Sequence, residues 1–576
     1  MIMDRVNTWL TGPYDESSKN EIRFLLENDK QALVDAFYTD LTFGTGGLRA
    51  LMGVGTNRLN AYTIQIATQG LANYLLAQKK CPLSVLVGFD SRHNSQEFAL
   101  ETARVLAGNG IRVYLLSELR PTPFISFACR EKKCDAAVMI TASHNPKEYN
   151  GYKVYWSDGA QVVPPHDTGI IKEVEKLTSI AQVKRSGSKD PLIETSDFSL
   201  DEAYLRAIRP LQHFPEQNKN EGSTLQITYT SFHGTGITMV PKALRDWGFT
   251  SIHIVDEQCI PDGNFPTLKF PNPEYKETLQ LGMEKLISTH SDILFATDPD
   301  ADRMGVVVMH KSAPVILTGN ETAAICVEYL CDVMKEQDTL PKNGAFVTTI
   351  VTTELLKTIA EDHNQTCIEV LTGFKYIGEK IHLWETMQNS PKFIYGAEES
   401  YGFLLGTHAR DKDAIIASCL LAEIALHAKK QNKTLIDLLH QIYNRYGFYR
   451  EAQLSIPFHP GKAGMDAMQA LMTRLRAHLP HEIASKSVIY VEDYLTKTRT
   501  YLKTGKQEPL DLPISDVLLF RLDDKSKVII RPSGTEPKVK VYLSTFVSQA
   551  PSIAEGLKLC DTKIEHLTQT LKNELS

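Results

Sequence analysis

Six stretches of this chain follow one pattern, a short apolar or β-branched run that ends in a polar turn. They are SVLVGFD, AAVMITAS, LQITYTSFHG, DILFATDPD, AFVTTIVTT and KFIYGAEES, and helical segments separate them. Near-continuous apolar runs suit strands buried on both faces. Their alternation with helices places them in mainly parallel sheets of α/β layers. In such sheets ligands gather beyond the carboxyl ends of the strands, so the polar turns are where chemistry is expected. At 576 residues the chain exceeds what one core can organise, and three or four domains are expected.

The punctuation between the runs suggests where those domains end. SIAQVKRSGSKDPLIETSD and QHFPEQNKNEGST are polar and rich in breakers, which predicts a domain end between Ser179 and Thr224. A second is expected near Met309–Pro314. Ile22, Leu25, Leu26, Leu33, Val34 and Phe37 recur at helical spacing and predict an amphipathic helix over 15–41. After Tyr446 the pattern changes. DVLLFRLDDKSKVIIRPSGTEPKVKVYLSTF reads as strands joined by short turns, followed by a helical end, which is an α+β arrangement.

A net charge of −7 gives no overall basic field, which argues against nucleic acid as a partner. The N-terminal stretch has no long apolar core and carries Asp4, Asp15 and Glu16, so neither a signal peptide nor a membrane span is expected. No later run reaches the roughly 18 uncharged apolar residues of a spanning helix. The nine cysteines include no CxxC pair, and their odd number suits reduced thiols and a cytoplasmic location.

Four turns carry most of the chemistry. Ser143 in TASHNP is followed by His144, Asn145 and, ten residues on, Lys153. A hydroxyl among donors and a cation suits covalent phosphoryl chemistry, whereas an N-cap serine is the plainer reading of this turn alone. No G-x-S-x-G elbow surrounds it. In DPDADR, Asp298, Asp300 and Asp302 alternate and can converge on a hard divalent cation. Arg303 and Met309 stand where an EF-hand needs Gly and Glu, which excludes that motif. Arg531, Ser533, Gly534 and Thr535 in RPSGTEP combine a guanidinium, hydroxyls and amides, an inventory for phosphate that is compatible with a simple β-turn. Glu398, Glu399 and Ser400 in EESYG can read sugar hydroxyls or be merely solvated. TFGTGGLRALMGVGTNRLN adds Gly44, Gly46, Gly47 and Arg49, read as a flexible, anion-friendly loop that matches no ATP or NAD motif.

Together these turns resemble the α-D-phosphohexomutase superfamily, and within it the bacterial phosphoglucomutase type. TASHNP, DPDADR, EESYG and RPSGTEP stand in the family's order from about Phe43 onward. The resemblance implies four domains around a central cleft, the first three α/β with mixed, mainly parallel sheets and the fourth a smaller α+β domain. With the breaks above, this gives a helical extension over 1–40 and domains over 41–210, 211–313, 314–445 and 446–576. It implies that Ser143 carries a phosphoryl group, that Mg²⁺ bridges it to Asp298, Asp300 and Asp302, and that glucose 1,6-bisphosphate is both intermediate and activator. Arg49 and Lys153 match basic residues beside the phosphoserine, with His144 supporting the serine turn. Arg303, Gly373, Lys375, Glu398, Ser400 and Lys412 match substrate-binding positions, and Arg531, Ser533, Gly534 and Thr535 match the phosphate clamp. His408 is a candidate acid or base.

The implied reaction interconverts glucose 1-phosphate and glucose 6-phosphate. AEESYG favours glucose, whereas the start of the chain also resembles the branch with phosphopentomutases and glucose-1,6-bisphosphate synthases; a phosphomannomutase is the other alternative. Outside the family stand a haloacid-dehalogenase-like phosphatase using Asp298 and a non-catalytic sugar-phosphate binder. Sugar phosphates are the expected partners, with no membrane and a monomer or homodimer.

Overall fold

The apolar runs form strands in the computed structural model, which describes residues 2–41, 47–78, 82–196, 199–459, 462–533 and 537–575. The chain divides into two units, Met1–Gly319 with Phe374–Thr434 and Asn320–Gly373 with Leu435–Ser576.

In the first unit, β1 (Gly47–Leu51), β2 (Ser84–Phe89), β3 (Arg112–Leu116), β4 (Ala136–Ile140), β5 (Tyr149–Trp156) and β6 (Ile193–Ser196) form one sheet in the order β1-β5-β4-β2-β3-β6. β4, β2, β3 and β6 run parallel, and β5 and β1 add antiparallel pairings. Val85, Val87, Val138 and Val154 pack with Ile64, Leu71 and Leu106 in one core. Each such side chain contributes about 1.5–3 kcal/mol on burial, which fixes the strands whose ends carry the polar turns. Gly47–Leu51, read from the sequence as part of a loop, is strand: Gly47 takes φ 136°, and a Cβ there would lie 1.7 Å from the Tyr152 carbonyl oxygen. The need for close approach, and not flexibility, explains that glycine. Gly44 and Gly46 lie outside the described residues.

A second sheet has the order β11-β10-β9-β7-β8, from β7 (Ile227–Thr230), β8 (Ile252–Ile254), β9 (Ile293–Thr297), β10 (Met304–His310) and β11 (Ala313–Leu317). β8, β7 and β9 are parallel, and β10 and β11 are antiparallel additions. The polar stretch Met309–Pro314 forms a hairpin turn near the end of this sheet. Met309 pairs with Pro314, Lys311 and Ser312 take left-handed φ, and the sheet continues to Leu317. Later in the unit the hairpin Lys392–Glu398/Gly402–Leu405 carries the EESYG turn.

The helix expected over 15–41 is two helices, Glu16–Asn28 and Lys30–Phe37, preceded by Ile2–Thr11. Asp29 divides them: its N–H closes the first helix on the Leu25 carbonyl, and its carboxylate caps the second at the Ala32 N–H. Val6, Trp9, Ile22, Leu33, Phe37 and Val54 hold these helices together.

In the second unit Gly344–Thr349 and Thr366–Val370 pair in parallel. After Tyr446 the chain forms an antiparallel sheet in which Phe448–Pro457, Lys538–Val547, Lys527–Pro532, Leu518–Leu522, Lys486–Asp493, Thr498–Tyr501 and Gln507–Pro509 follow one another. Met468, Met472, Leu567 and Leu571 from two helices share its core with Val528, Ile530 and Val541. The described cysteines are free thiols, and among the described residues no helix is long and apolar enough to cross a membrane.

Candidate active site

β4 and β9 deliver the serine and the acids. Past Ile140 the Thr141 hydroxyl accepts the Ser143 N–H at 2.8 Å, folding a tight turn in which Ser143 has φ 52°. That left-handed conformation costs a non-glycine residue on the order of 1–2 kcal/mol. Ser143 is 2% exposed; its Oγ donates to Asp298 Oδ2 at 2.8 Å and lies 3.1 Å from His144 Nδ1. Burial, with Arg303 and Arg49 nearby, holds His144 well below the usual histidine range, so the ring is neutral.

Past β9 the Asp298 carboxylate accepts the N–H groups of Asp302 and Arg303, while Ala301 takes φ 49°. This winds the loop so that carboxylate oxygens of Asp298, Asp300 and Asp302 lie within 4.8 Å of one another, all buried. Lys153 Nζ, from β5, sits 2.7 Å from Asp300 Oδ2 and 3.2 Å from Asp302 Oδ2, and Lys412 Nζ is 3.2 Å from Asp302 Oδ2. Thr122 adds a hydroxyl to Asp300 Oδ2 at 2.8 Å. Burial pushes the Asp298 carboxyl well up, and the charges of Asp300 and Asp302 push further. For Asp302 burial acts upward too, but Lys412, Lys153 and Arg303 outweigh it and hold the acid ionised.

The three aspartates fit a hard divalent cation. Asp300 Oδ1 and Asp302 Oδ1 are buried and accept no hydrogen bond, although their Oδ2 atoms are engaged. Unsatisfied anionic oxygens beside a third carboxylate are costly to bury unless a cation meets them, and oxygen-only donors suit Mg²⁺ or Ca²⁺.

Against this geometry the relationships of the chain can be read. Residues 40–181, 202–311 and 318–446 match, in turn, the family descriptions "Phosphoglucomutase/phosphomannomutase, alpha/beta/alpha domain" I, II and III. The chain belongs to the phosphoglucomutase/phosphomannomutase family. Phosphoglucomutase of Staphylococcus haemolyticus (strain JCSC1435) is 37% identical over 526 residues, covering 90% of this chain and 93% of the relative. Phosphoglucomutase of Staphylococcus aureus (strain USA300) is also 37% identical, covering 91% and 93%. The fold is shared with a phosphoglucomutase/phosphomannomutase family protein from Burkholderia thailandensis, with TM-score 0.65, 19% identity and coverage of 92% and 98%. It is shared as well with the open form of a Paramecium phosphoglucomutase, parafusin, with TM-score 0.66, 18% identity and coverage of 93% and 95%.

In this family member the described residues singled out from sequence fall into two groups. Ser143, His144, Lys153, Asp298, Asp300, Asp302 and Lys412 are linked by the contacts above. Arg49 joins them from β1, donating to Asn145 Oδ1 at 3.2 Å. Arg303 is pinned by Glu274, 2.5 Å away, and pairs in a β-bridge with Gly402, which sets the EESYG turn beside the acid loop. Glu398, at the end of its strand, is pushed up to about 7 by burial against the pull of Lys412. Ser400 is half-buried in that turn. Lys375 is buried on the helix Phe374–Thr386, whose first residue lies under Lys412 Nζ, 5.7 Å from the ring centroid.

The second group lies in the other unit: Gly373, with φ 120°, Arg531 on the strand Lys527–Pro532, and Ser533. Gly534 and Thr535 lie outside the described residues. His408 contacts Asp413 and Tyr204. Its Nε2 is 2.7 Å from Asp413 Oδ2, the carboxylate that caps the helix Ala414–Lys430, and its ring meets Tyr204 edge-on. Sequence reasoning missed Arg92, Thr122 and Glu274. For Arg92 a signal existed, because GFDSRHN ends an apolar run as TASHNP does, but its turn was not read residue by residue.

Proposed function

We propose that this chain is a phosphoglucomutase that interconverts glucose 1-phosphate and glucose 6-phosphate with Ser143 as the phosphoryl carrier. The observation that carries the reading is the 2.8 Å contact from Ser143 Oγ to Asp298, within a buried trio of aspartates and beside two lysines. A serine so placed is buried among the charges a phosphoryl group needs.

Phosphorylated Ser143 gives its phosphoryl group to the C6 hydroxyl of glucose 1-phosphate. The P–Oγ bond breaks as the new P–O bond forms, and the proton of the sugar hydroxyl ends on Ser143 Oγ. Glucose 1,6-bisphosphate then presents its C1 phosphate, which returns to Ser143 and releases glucose 6-phosphate. Asp298, Asp300 and Asp302 together with phosphorylated Ser143 would hold Mg²⁺, which when bound neutralises charge on the phosphoryl group. Lys153 and Arg49 flank the serine turn, His144 orients Oγ, and Arg303 and Lys412 face the sugar phosphate. Glu398 and Ser400 read sugar hydroxyls from either end of the substrate. Arg531, Ser533, Gly534 and Thr535 hold the phosphate that is not reacting, with Gly373 and Lys375 contributing a further substrate loop.

The test is initial rates with Mg²⁺ and catalytic glucose 1,6-bisphosphate on the 1-phosphates of glucose, mannose, glucosamine, ribose and deoxyribose. A clear kcat/KM preference for glucose 1-phosphate is expected. A pentose preference would assign the chain to the phosphopentomutase branch.

A further inference from the structure

Arg92 leaves β2 as Ser143 leaves β4, and these strands are parallel neighbours, with Phe89 opposite Ile140. Its guanidinium is spent on the serine turn. Nη2 donates to the carbonyl oxygens of Ser143 and Asn145, each at 2.5 Å, and Nη1 to those of Pro146 and Tyr149 at 2.8 and 3.0 Å. The side chain is fully buried, with Nε 3.4 Å from Asp90 Oδ2, whose side chain is equally buried. Phe265 closes one side, its ring centroid 5.0 Å from the guanidinium carbon. The two turns are stitched again by Asn150, which donates to the His93 carbonyl and the Ser95 hydroxyl at 3.0 and 2.9 Å.

A buried ion pair is a costly way to make a turn, and hydrophobic residues of the same volume would often serve stability as well. What they cannot do is gather four carbonyls onto one cation by charge-assisted hydrogen bonds. With its carbonyls drawn to Arg92 the turn keeps Ser143 at φ 52° and its Oγ on Asp298. The same fixed positive charge lies directly behind a serine that would carry roughly −1.5 to −2 charges once phosphorylated.

We propose that Arg92 is a positioning residue for phosphoryl transfer. It locks the serine turn in its left-handed shape and offsets the phosphoserine charge without touching substrate. This rests on the reading of Ser143 as phosphoryl carrier. A lysine at 92 keeps the charge, but one ammonium cannot span carbonyls from residue 143 to residue 149.

The decisive experiment compares wild type, Arg92→Lys and Asp90→Asn for thermal stability, kcat and KM. It also follows the rate at which Ser143 gains phosphate from glucose 1,6-bisphosphate, by intact mass with site mapping. Misplacing a reacting group by about 1 Å costs about 100-fold, so Arg92→Lys should lose about that much in kcat and in phosphorylation rate, with KM within about threefold. Asp90→Asn, which frees the guanidinium on one side only, should fall between Arg92→Lys and wild type, and it carries the test if Arg92→Lys does not fold. Folded variants with wild-type kcat and phosphorylation rate, or a loss confined to thermal stability, would overturn the proposal and leave the mutase reading intact. Wild-type protein that takes up no phosphate on Ser143 would overturn both.

Discussion

Gly402 makes room for Lys412: a Cβ on residue 402 would stand 2.1 Å from Lys412 Cδ and 2.7 Å from its Cγ. The lysine stem crosses the EESYG turn at its glycine on the way to Asp302 and Asp411, each 3.2 Å from Nζ. The turn thus constrains the cation as well as offering Glu398 and Ser400.

Replacing that glycine should therefore act through the lysine. In Gly402→Ala the stem must swing aside and Nζ leaves Asp302, so kcat/KM should fall by about 10- to 100-fold with little loss of stability. Steady-state kinetics on Gly402→Ala, Lys412→Ala and the double variant check this. Because both changes remove one interaction, the double variant should be no worse than Lys412→Ala. Additive losses would mean that the glycine acts elsewhere.

A divalent cation should stabilise the acid loop. At about 100 times its dissociation constant Mg²⁺ adds about 2.7 kcal/mol to a protein that binds it only when folded. Thermal melts with and without Mg²⁺ should show an upward shift in wild type and a much smaller one in Asp300→Asn and Asp302→Asn. Chelation should abolish turnover and added Mg²⁺ should restore it. Equal shifts in all three proteins would place the ion somewhere else.

Ser143 separates stability from activity. Ser143→Gly relieves the left-handed backbone, worth about 1–2 kcal/mol, but loses the hydroxyl and its bond to Asp298. It should melt no lower than wild type and have no measurable mutase activity or bound phosphate. Retained turnover in this variant would remove the serine from the mechanism and revive Asp298 as nucleophile.

The second unit carries its own pH dependence. Burial pushes Glu451 up to about 7 from 4.5, although Asn320 and Ser544 donate to its oxygens. An acid raised in the folded state favours folding fully below its unfolded pKa, and that contribution is lost as pH rises through the folded value. Stability attributable to Glu451 should decline between about pH 4.5 and 7. Glu451→Gln should flatten that decline, raising the melting temperature at pH 8 relative to wild type and changing it little at pH 5. Parallel pH profiles for both proteins would show that the carboxyl is not the titrating group.

How much of this was legible depended on whether the cause was local. Ser143 and the three aspartates could be read because each stands where an apolar strand stops, and the strand supplies the direction. GFDSRHN marks a polar turn at a strand end, but its partner is not legible there: the Arg92 guanidinium meets carbonyls more than fifty residues onward only because β2 pairs with β4. Residues 15–41 read as one helix because the apolar spacing runs unbroken across Asp29, whose double role as cap is a matter of backbone angle. The polar residues at Met309–Pro314 also make the hairpin turn between β10 and β11, which composition alone does not reveal. His408, a residue type that invites a catalytic reading, shows a contact the sequence did not indicate, its Nε2 lying 2.7 Å from Asp413 Oδ2.

If Ser143 is the phosphoryl carrier proposed above, its enclosure also bears on where its first phosphate would come from. A protein kinase must draw its acceptor hydroxyl out on an extended, accessible segment. This serine sits in a left-handed turn, 2% exposed, with four carbonyls of that turn fastened to a buried guanidinium. Presenting it to another enzyme would mean unfolding the end of β4. On that reading a donor small enough to enter beside Asp298 would charge the serine without unfolding the strand end, and this would tie the supply of activated enzyme to the concentration of a metabolite.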